Sequence, residues 1–260
     1  MHKLPVLHVV QEGSGPLLVL SHALGCHLGM WDEVTQLLSK QFTVVRYDHR
    51  NHGDSESSAQ DFSVDDLADD VAKVIEGLSI QPVYFVGLSL GGMVAQSLAA
   101  RYPHLIKACV IANSAQFYDE AAKKMWADRI EKVLKEGVSS ISGVAIERWF
   151  TPEFLGATDQ KKQRRVAGIR SDLDLFDAKL YALSCAAVAG IDYRKGNENI
   201  SVPTLVLFGS HDQATPPALS FAIHEAIKGS ALAEIDAAHL SAVESPIQFA
   251  EIVSSFLRSH

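Results

Sequence analysis

Cysteine is scarce in this chain. Its 260 residues include three, Cys26, Cys109 and Cys185, odd in number, widely spaced and without a C-x-x-C pair. That argues against a disulfide framework or a zinc site and points to a reducing compartment, so a cytoplasmic location is expected. Positive charge is also in deficit: 23 Lys and Arg against 31 Asp and Glu leave a net charge of −8. A soluble, acidic chain is a poor partner for nucleic acid or an anionic membrane. No apolar run reaches the roughly 18 residues of a spanning helix. The first stretch, MHKLPVLHVVQEGSGP, lacks the long apolar segment of a signal peptide. Neither G-x-G-x-x-G nor G-K-[ST] occurs, which disfavours a phosphate-cradling loop. Internal repeats, low-complexity tracts and flexible linkers are absent as well.

What is present is apolar and periodic. Hydrophobic residues make up 47% of the chain, enough for a sizeable core in one α/β domain with an insertion. Runs at 16–24, 42–48, 83–89, 106–114, 203–212 and 231–239 read as strands. Three are nearly continuous in Val, Leu, Ile and Phe, as expected of parallel strands covered on both faces. Val64, Leu67, Val71, Val74, Ile75 and Leu78 form one helical stripe, opened by Ser63 and Asp66 in the manner of a capping box. LHVVQEG reads as an antiparallel edge strand. The expected architecture is α/β: a mostly parallel, doubly wound sheet with crossover helices.

One interval breaks this rhythm. From about Phe117 to Arg194 the patterns are helical, with AAKKMWADRIEKVLKEG an amphipathic helix that places Met125, Ile130, Val133 and Leu134 at candidate buried positions. The division expected is a core of residues 1–116 and 195–260 and a helical lid over 117–194. The lid would cover the C-terminal edge of the strands, where ligands sit in open α/β sheets.

The sequence VYFVGLSLGGMVAQ, residues 83–96, carries G-x-S-x-G between a strand and a helix. In this nucleophile elbow the glycines allow close approach of strand and helix, and Ser89 is held in strained backbone with its hydroxyl above the sheet. The helix that follows aims its N–H groups at the same point. A plain Gly-rich turn is the alternative. A serine hydroxyl needs a base, and the elbow predicts an acid and then a histidine on later loops. Asp212 ends TLVLFGSHD, and His239 precedes the last helix. Histidine titrates near ~6.5 and can accept and return a proton at neutral pH, while an acid holds its tautomer. Asp236 and Glu244 are rival acids; Asp212 is favoured because it follows an apolar strand. Of the eleven histidines, His2, His8, His104, His224 and His260 read as surface or packing residues. His49 and His52 lack a third ligand, so no metal is expected.

Ester hydrolysis also needs two N–H donors for the oxyanion. Leu90, after the nucleophile, supplies one. The loop in LSHALGCHLGMWD, with Leu24 as donor, is the candidate for the other. Cys26 lies beside it, as an inert small side chain or a reactive thiol.

Together, LSHALGCHLGMWD, YDHRNHGDS, GLSLGGMVAQSLAARYP, ERWFTPEF, SCAAVAGIDYR and AAHLSAVESP resemble the α/β-hydrolase superfamily over essentially the whole chain, and within it the 3-oxoadipate enol-lactonases. The resemblance implies an α/β-hydrolase fold and the positions Ser89, Asp212 and His239 as catalytic. It also implies a small-molecule ester or lactone substrate, no cofactor, and hydrolysis of an enol-lactone bearing a carboxylate in aromatic degradation by the β-ketoadipate route. Two departures stand out: His22-Ala23 where many relatives read H-G, and Arg50-Asn51-His52-Gly53 where many read R-G-H-G. Asn suits the second if the backbone there is left-handed. The resemblance calls for a cation to bind the carboxylate. The lid offers Arg129, Arg148, Lys161, Lys162, Arg164, Arg165 and Arg170, with Arg148 preferred because ERWF belongs to the resembling stretches. Trp31, Trp126 and Trp149 are candidate pocket walls, or alternatively core packing. A general carboxylesterase, a carbon–carbon bond hydrolase of a ring-cleavage product and a non-catalytic ligand-binding protein are the competing functions. Ser89 argues against dehalogenases and epoxide hydrolases on this scaffold, which use Asp.

Overall fold

The computed structural model describes residues 5–260; His2 lies outside them. Seven strands form one sheet, in the order β1-β3-β2-β4-β5-β6-β7. They are β1 (Val9–Gly13), β2 (Leu17–Ser21), β3 (Thr43–Tyr47), β4 (Val83–Leu88), β5 (Ile106–Ala112), β6 (Thr204–Gly209) and β7 (Ala231–Ile235). Only β1 runs antiparallel, paired with β3 at the edge, as LHVVQEG predicts. The order reverses beside β2, the strand after which the chain crosses to the outer β3 and returns to β4. β4 is buried at every position and β5 at all but Lys107, which explains their unbroken apolar character.

Helices cover both faces. α1 (Asp32–Leu38) packs on the last helix, α12 (Pro246–Arg258), which also reaches β5 and β7. On the other face α2 (Val64–Leu78) packs on α3 (Leu90–Arg101), which lies along β2, β4 and β5. The capping box forms as read: Ser63 N–H donates to Asp66 Oδ2 at 2.7 Å, and Asp66 N–H to Ser63 Oγ at 3.2 Å. Val64, Leu67, Val71 and Ile75 are buried and Val74 is half-buried, but Leu78, the last residue of α2, is exposed.

Between β5 and β6 the described residues form only helices: α4 (Glu120–Glu136), α5 (Ser139–Trp149), α6 (Pro152–Leu155), α7 (Gln160–Asp174), α8 (Ala178–Ala189) and α9 (Arg194–Asn197). An isolated antiparallel bridge between Phe117 and Asp192 joins the two ends of this insert. Of the four apolar positions expected to be buried on α4, Val133 is and Ile130 is half-buried, whereas Met125 and Leu134 are exposed. The helix packs on α5 and α8 along one narrow stripe, and Met125 faces the mouth of a cavity instead. The remaining helices are α10 (Pro217–Ala226) after β6 and the single turn α11 (Ser241–Glu244). No described helix is long and apolar enough to cross a membrane.

One buried ion pair braces the loop after β3. Arg50 Nε and Nη2 each donate to the Asp70 carboxylate at 2.6 Å, and the Asp70 side chain is 2% exposed. Burial raises the Asp70 pKa, and the arginine works against that rise. Losing one partner of such a pair leaves a buried charge uncompensated, at a cost of about 3–5 kcal/mol. Arg50→Ala should therefore lower stability by about 3 kcal/mol in urea unfolding, and a loss below about 1 kcal/mol would show that the pair behaves as a surface one.

Candidate active site

β4 ends at Leu88 and α3 begins at Leu90, so Ser89 is the whole connection. Its backbone is left-handed and strained, at φ 58° and ψ −113°. The flanking glycines are obligatory: a Cβ on Gly87 would lie 1.9 Å from Gly91 O, and one on Gly91 2.0 Å from Ser21 O. Three further bonds fix the serine. Its N–H donates to Ala112 O at 2.9 Å, while its carbonyl accepts from Met93 N–H at 3.0 Å and Ser114 Oγ at 2.9 Å.

Two later loops bring the other candidates to it. Asp212 lies between β6 and α10, and His239 between β7 and α11; both are 3% exposed. His239 Nε2 is 2.9 Å from Ser89 Oγ, and Nδ1 is 2.9 Å from Asp212 Oδ2. Asp212 also accepts from Ala214 N–H, Thr215 N–H, Thr215 Oγ1 and Asn113 Nδ2 at 2.8 to 3.0 Å. Burial alone would raise its pKa. The charge and hydrogen bond of His239, then the Asn113 and Thr215 donors, outweigh burial and hold the carboxyl below its ordinary range. An ionised Asp212 keeps the imidazole proton on Nδ1 and leaves the Nε2 lone pair facing the serine hydroxyl. The rival acids are engaged elsewhere: Asp236 pairs with His211 at 3.0 Å, and Glu244 accepts from Ala238 N–H and Thr151 Oγ1.

The loop after β2 is tied to the elbow by Gly91 N–H, which donates to His22 O at 3.1 Å. Leu24 and Leu90 thus line the same cavity as Ser89 and His239. Neither of their N–H groups has an acceptor among the described residues, as two donors awaiting an oxyanion should not. The cavity, about 380 Å³, lies under α4, α5 and α8. Trp126, Trp149, Arg129 and Arg148 are on its wall. Trp31 is not. It is fully buried against Phe249 of α12, ring centroids 5.8 Å apart, because the turn carrying it packs into the α1–α12 layer.

The model of the alpha/beta hydrolase fold matches residues 16–246. The chain belongs to the α/β-hydrolase family. It is 32% identical to 3-oxoadipate enol-lactonase 2 of Acinetobacter baylyi over 247 residues, 95% of this chain and 90% of that one. The crystal structure of the enol-lactonase from Burkholderia xenovorans superimposes with a TM-score of 0.91 at 33% identity, covering 98% and 97% of the two chains. A putative carbamate hydrolase, RutD of Serratia proteamaculans, is 28% identical over 85% of this chain and 82% of its own.

In this α/β-hydrolase two residues at the site escaped the sequence reading, Asn113 and Thr215. Asn113 was hidden in the tail of an apolar strand; a polar residue there, level with Asp212, was the available signal. Asn51 has φ 65°, the left-handed backbone that accommodates Asn in place of Gly. Cys26 is buried and its thiol is pushed up to about 12, which keeps it protonated and inert.

Three buried histidines, His22, His49 and His52, tie the loop after β2 to the loop after β3. His22 Nδ1–H donates to Ala23 O and its Nε2 accepts from His49 N–H; His52 Nδ1–H donates to Arg50 O and its Nε2 accepts from Gly25 N–H. These bonds require neutral rings. Burial lowers the pKa of His22 to about 3 and of His52 to about 4, and that of His49 well below 6.5. Each folded-state value lies below the unfolded one, so the unfolded chain binds more protons and stability falls as pH drops below about 6.5. From about 4 and 6.5, His52 alone contributes about 2 kcal/mol of acid destabilisation at pH 5. Urea-unfolding free energy should decline between pH 6.5 and 4.5, and His52→Gln should flatten the slope by about one proton; an unchanged slope would mean that His52 is already charged in the native state.

Proposed function

We propose that this hydrolase opens a carboxylate-bearing enol-lactone, 3-oxoadipate enol-lactone, by nucleophilic catalysis in aromatic-compound degradation. The carrying observation is the unbroken Asp212–His239–Ser89 line of hydrogen bonds on the wall of a largely apolar cavity that also contains an unpaired cation. The relatives named 3-oxoadipate enol-lactonase support the substrate class.

In this reading Ser89 Oγ attacks the lactone carbonyl carbon as His239 Nε2 takes its proton. The N–H groups of Leu24 and Leu90 bind the developing oxyanion. Collapse of the tetrahedral intermediate breaks the ring C–O bond. His239 returns its proton to the departing enolate oxygen, and the enol tautomerises to the ketone. A water then attacks the acyl-enzyme with His239 again as base, which frees Ser89 and the second carboxylate. The helices over 117–194 serve as a lid that keeps the acyl group in an apolar setting.

For the substrate carboxylate, Arg129 is a better partner than Arg148. Arg148 Nη2 is committed to Gln213 O at 2.6 Å, on the loop of the acid. Arg129 has no ion-pair partner among the described residues, and its Nε is buried without an acceptor. Its guanidinium lies over the rings of Trp126 and Tyr181, 5.4 and 5.6 Å from their centroids, which orients it without neutralising it.

Two outcomes test this. Ser89→Ala should abolish turnover of both the enol-lactone and p-nitrophenyl acetate; the corresponding loss in a serine protease is about a million-fold in kcat. Near-wild-type hydrolysis would end the serine mechanism. Arg129→Met should lower kcat/KM for the lactone about 10- to 100-fold, the worth of a charge-assisted hydrogen bond, and leave the uncharged ester within about threefold. Arg148→Ala should impair both substrates because it loosens the loop of Asp212. Equal losses on both substrates in Arg129→Met would leave the general carboxylesterase as the better reading.

A further inference from the structure

The residues at the end of β5 bind Ser89, Asp212 and the loop that carries His239, although none of the three lies on that strand. Ala112 O accepts from Ser89 N–H at 2.9 Å, and Ser114 Oγ donates to Ser89 O at 2.9 Å. Between them, Asn113 reaches the other two. Its Nδ2 donates to Asp212 Oδ2 at 3.0 Å and to Ala238 O, the residue before His239, at 3.3 Å. Its Oδ1 accepts from Ser241 Oγ, two residues past His239, at 2.6 Å. Asn113 is fully buried and left-handed, φ 47°. The backbone there favours Asn or Gly over other residues, and a residue with so specific a set of partners is not a filler.

We infer that Asn113 is a positioning residue, whose carboxamide fixes the Asp212 carboxylate and the His239 loop in one frame. The chemistry of its partners sets the amide orientation. Ser241 Oγ spends its hydrogen on Oδ1, and a flipped amide would turn Oδ1 toward the Asp212 carboxylate, acceptor against acceptor. Both amide hydrogens go to the acid side and the base side of the same imidazole. Asn113 therefore holds the distance from Asp212 Oδ2 to His239 Nδ1 at 2.9 Å and keeps the imidazole aimed at Ser89. The other groups facing this centre are Thr215 Oγ1, 3.2 Å from His239 Nδ1, Tyr118 and Arg148 on the cavity wall, and Glu244, which accepts from Ala238 N–H.

The inference rests on the proposed serine mechanism, and the test separates the two. The probe is a fluorophosphonate, whose phosphorus is attacked by Ser89 Oγ with loss of fluoride while His239 takes the serine proton; labelling is read by mass, alongside p-nitrophenyl acetate hydrolysis. Wild-type protein that neither labels at Ser89 nor hydrolyses the ester would refute the serine mechanism itself. Given wild-type labelling, Asn113→Gly, which tolerates the left-handed backbone, should lower kcat and the labelling rate at least about tenfold with KM within about threefold. Asn113→Asp sets a second carboxylate against Asp212 and favours the imidazolium. The acid limb of its kcat/KM profile should move up by about one pH unit, a shift that loose packing would not produce. Ser241→Ala leaves Asn113 in place but frees its amide, so it should show a several-fold kcat loss with unchanged KM, and it decides the matter should the Asn113 variants fail to fold. Labelling and kcat within twofold of wild type in folded Asn113→Gly, or in Ser241→Ala should it alone fold, would overturn the inference, as would an unmoved acid limb in Asn113→Asp.

Discussion

At the junction of β4 and α3 the chain holds a residue with a side chain at φ 58°, ψ −113°, between two glycines that leave no room for a Cβ. Backbone strain of this kind costs on the order of 1–3 kcal/mol and persists only where the surroundings over-determine it. Here they do. Ala112 O, Ser114 Oγ and Met93 N–H each bind a backbone group of Ser89, and Gly91 N–H reaches across to His22 O. The same closeness that forbids a Cβ brings the Leu90 and Leu24 N–H groups to the wall of one cavity.

Electrostatics follow from what is buried around that point. Asp212 is nearly inaccessible yet ionised, because donors surround both of its oxygens. The histidines beside the loop after β2 are the converse case: burial keeps them neutral, and His22 and His52 each accept from a backbone N–H group. One buried cluster is held charged and the other uncharged, and each choice serves the geometry of its loop. The price is sensitivity to acid, because the unfolded chain binds protons that these buried imidazoles refuse.

The helical insert is fastened to the core and forms much of the cavity wall. Its contacts with the core are specific: Arg148 to Gln213 O, Leu240 N–H to Trp149 O, and Arg165 and Lys161 to Glu33. Within the cavity it presents mostly apolar surface, and the Arg129 guanidinium lies over the rings of Trp126 and Tyr181. That surface is the basis on which we propose a carboxylate-bearing enol-lactone rather than a general ester as substrate.

Local pattern was enough for the sheet and the elbow. The strand runs, the capping box at Ser63, the edge strand at Val9–Gly13 and the Gly-x-Ser-x-Gly turn are each written in consecutive residues. The order of Ser89, Asp212 and His239 followed because each ends or follows an apolar strand. Tertiary packing decided the rest. It sent Trp31 into the α1–α12 layer, left Met125 and Leu134 exposed on α4, tied Arg148 to a backbone carbonyl, left Arg129 free, and made Asn113 a bridge between loops 99 and 125 residues away. The reason is physical: periodicity reports which face of an element is apolar, but which neighbour meets that face, and which polar atoms then find partners, depends on contacts between segments distant in the chain.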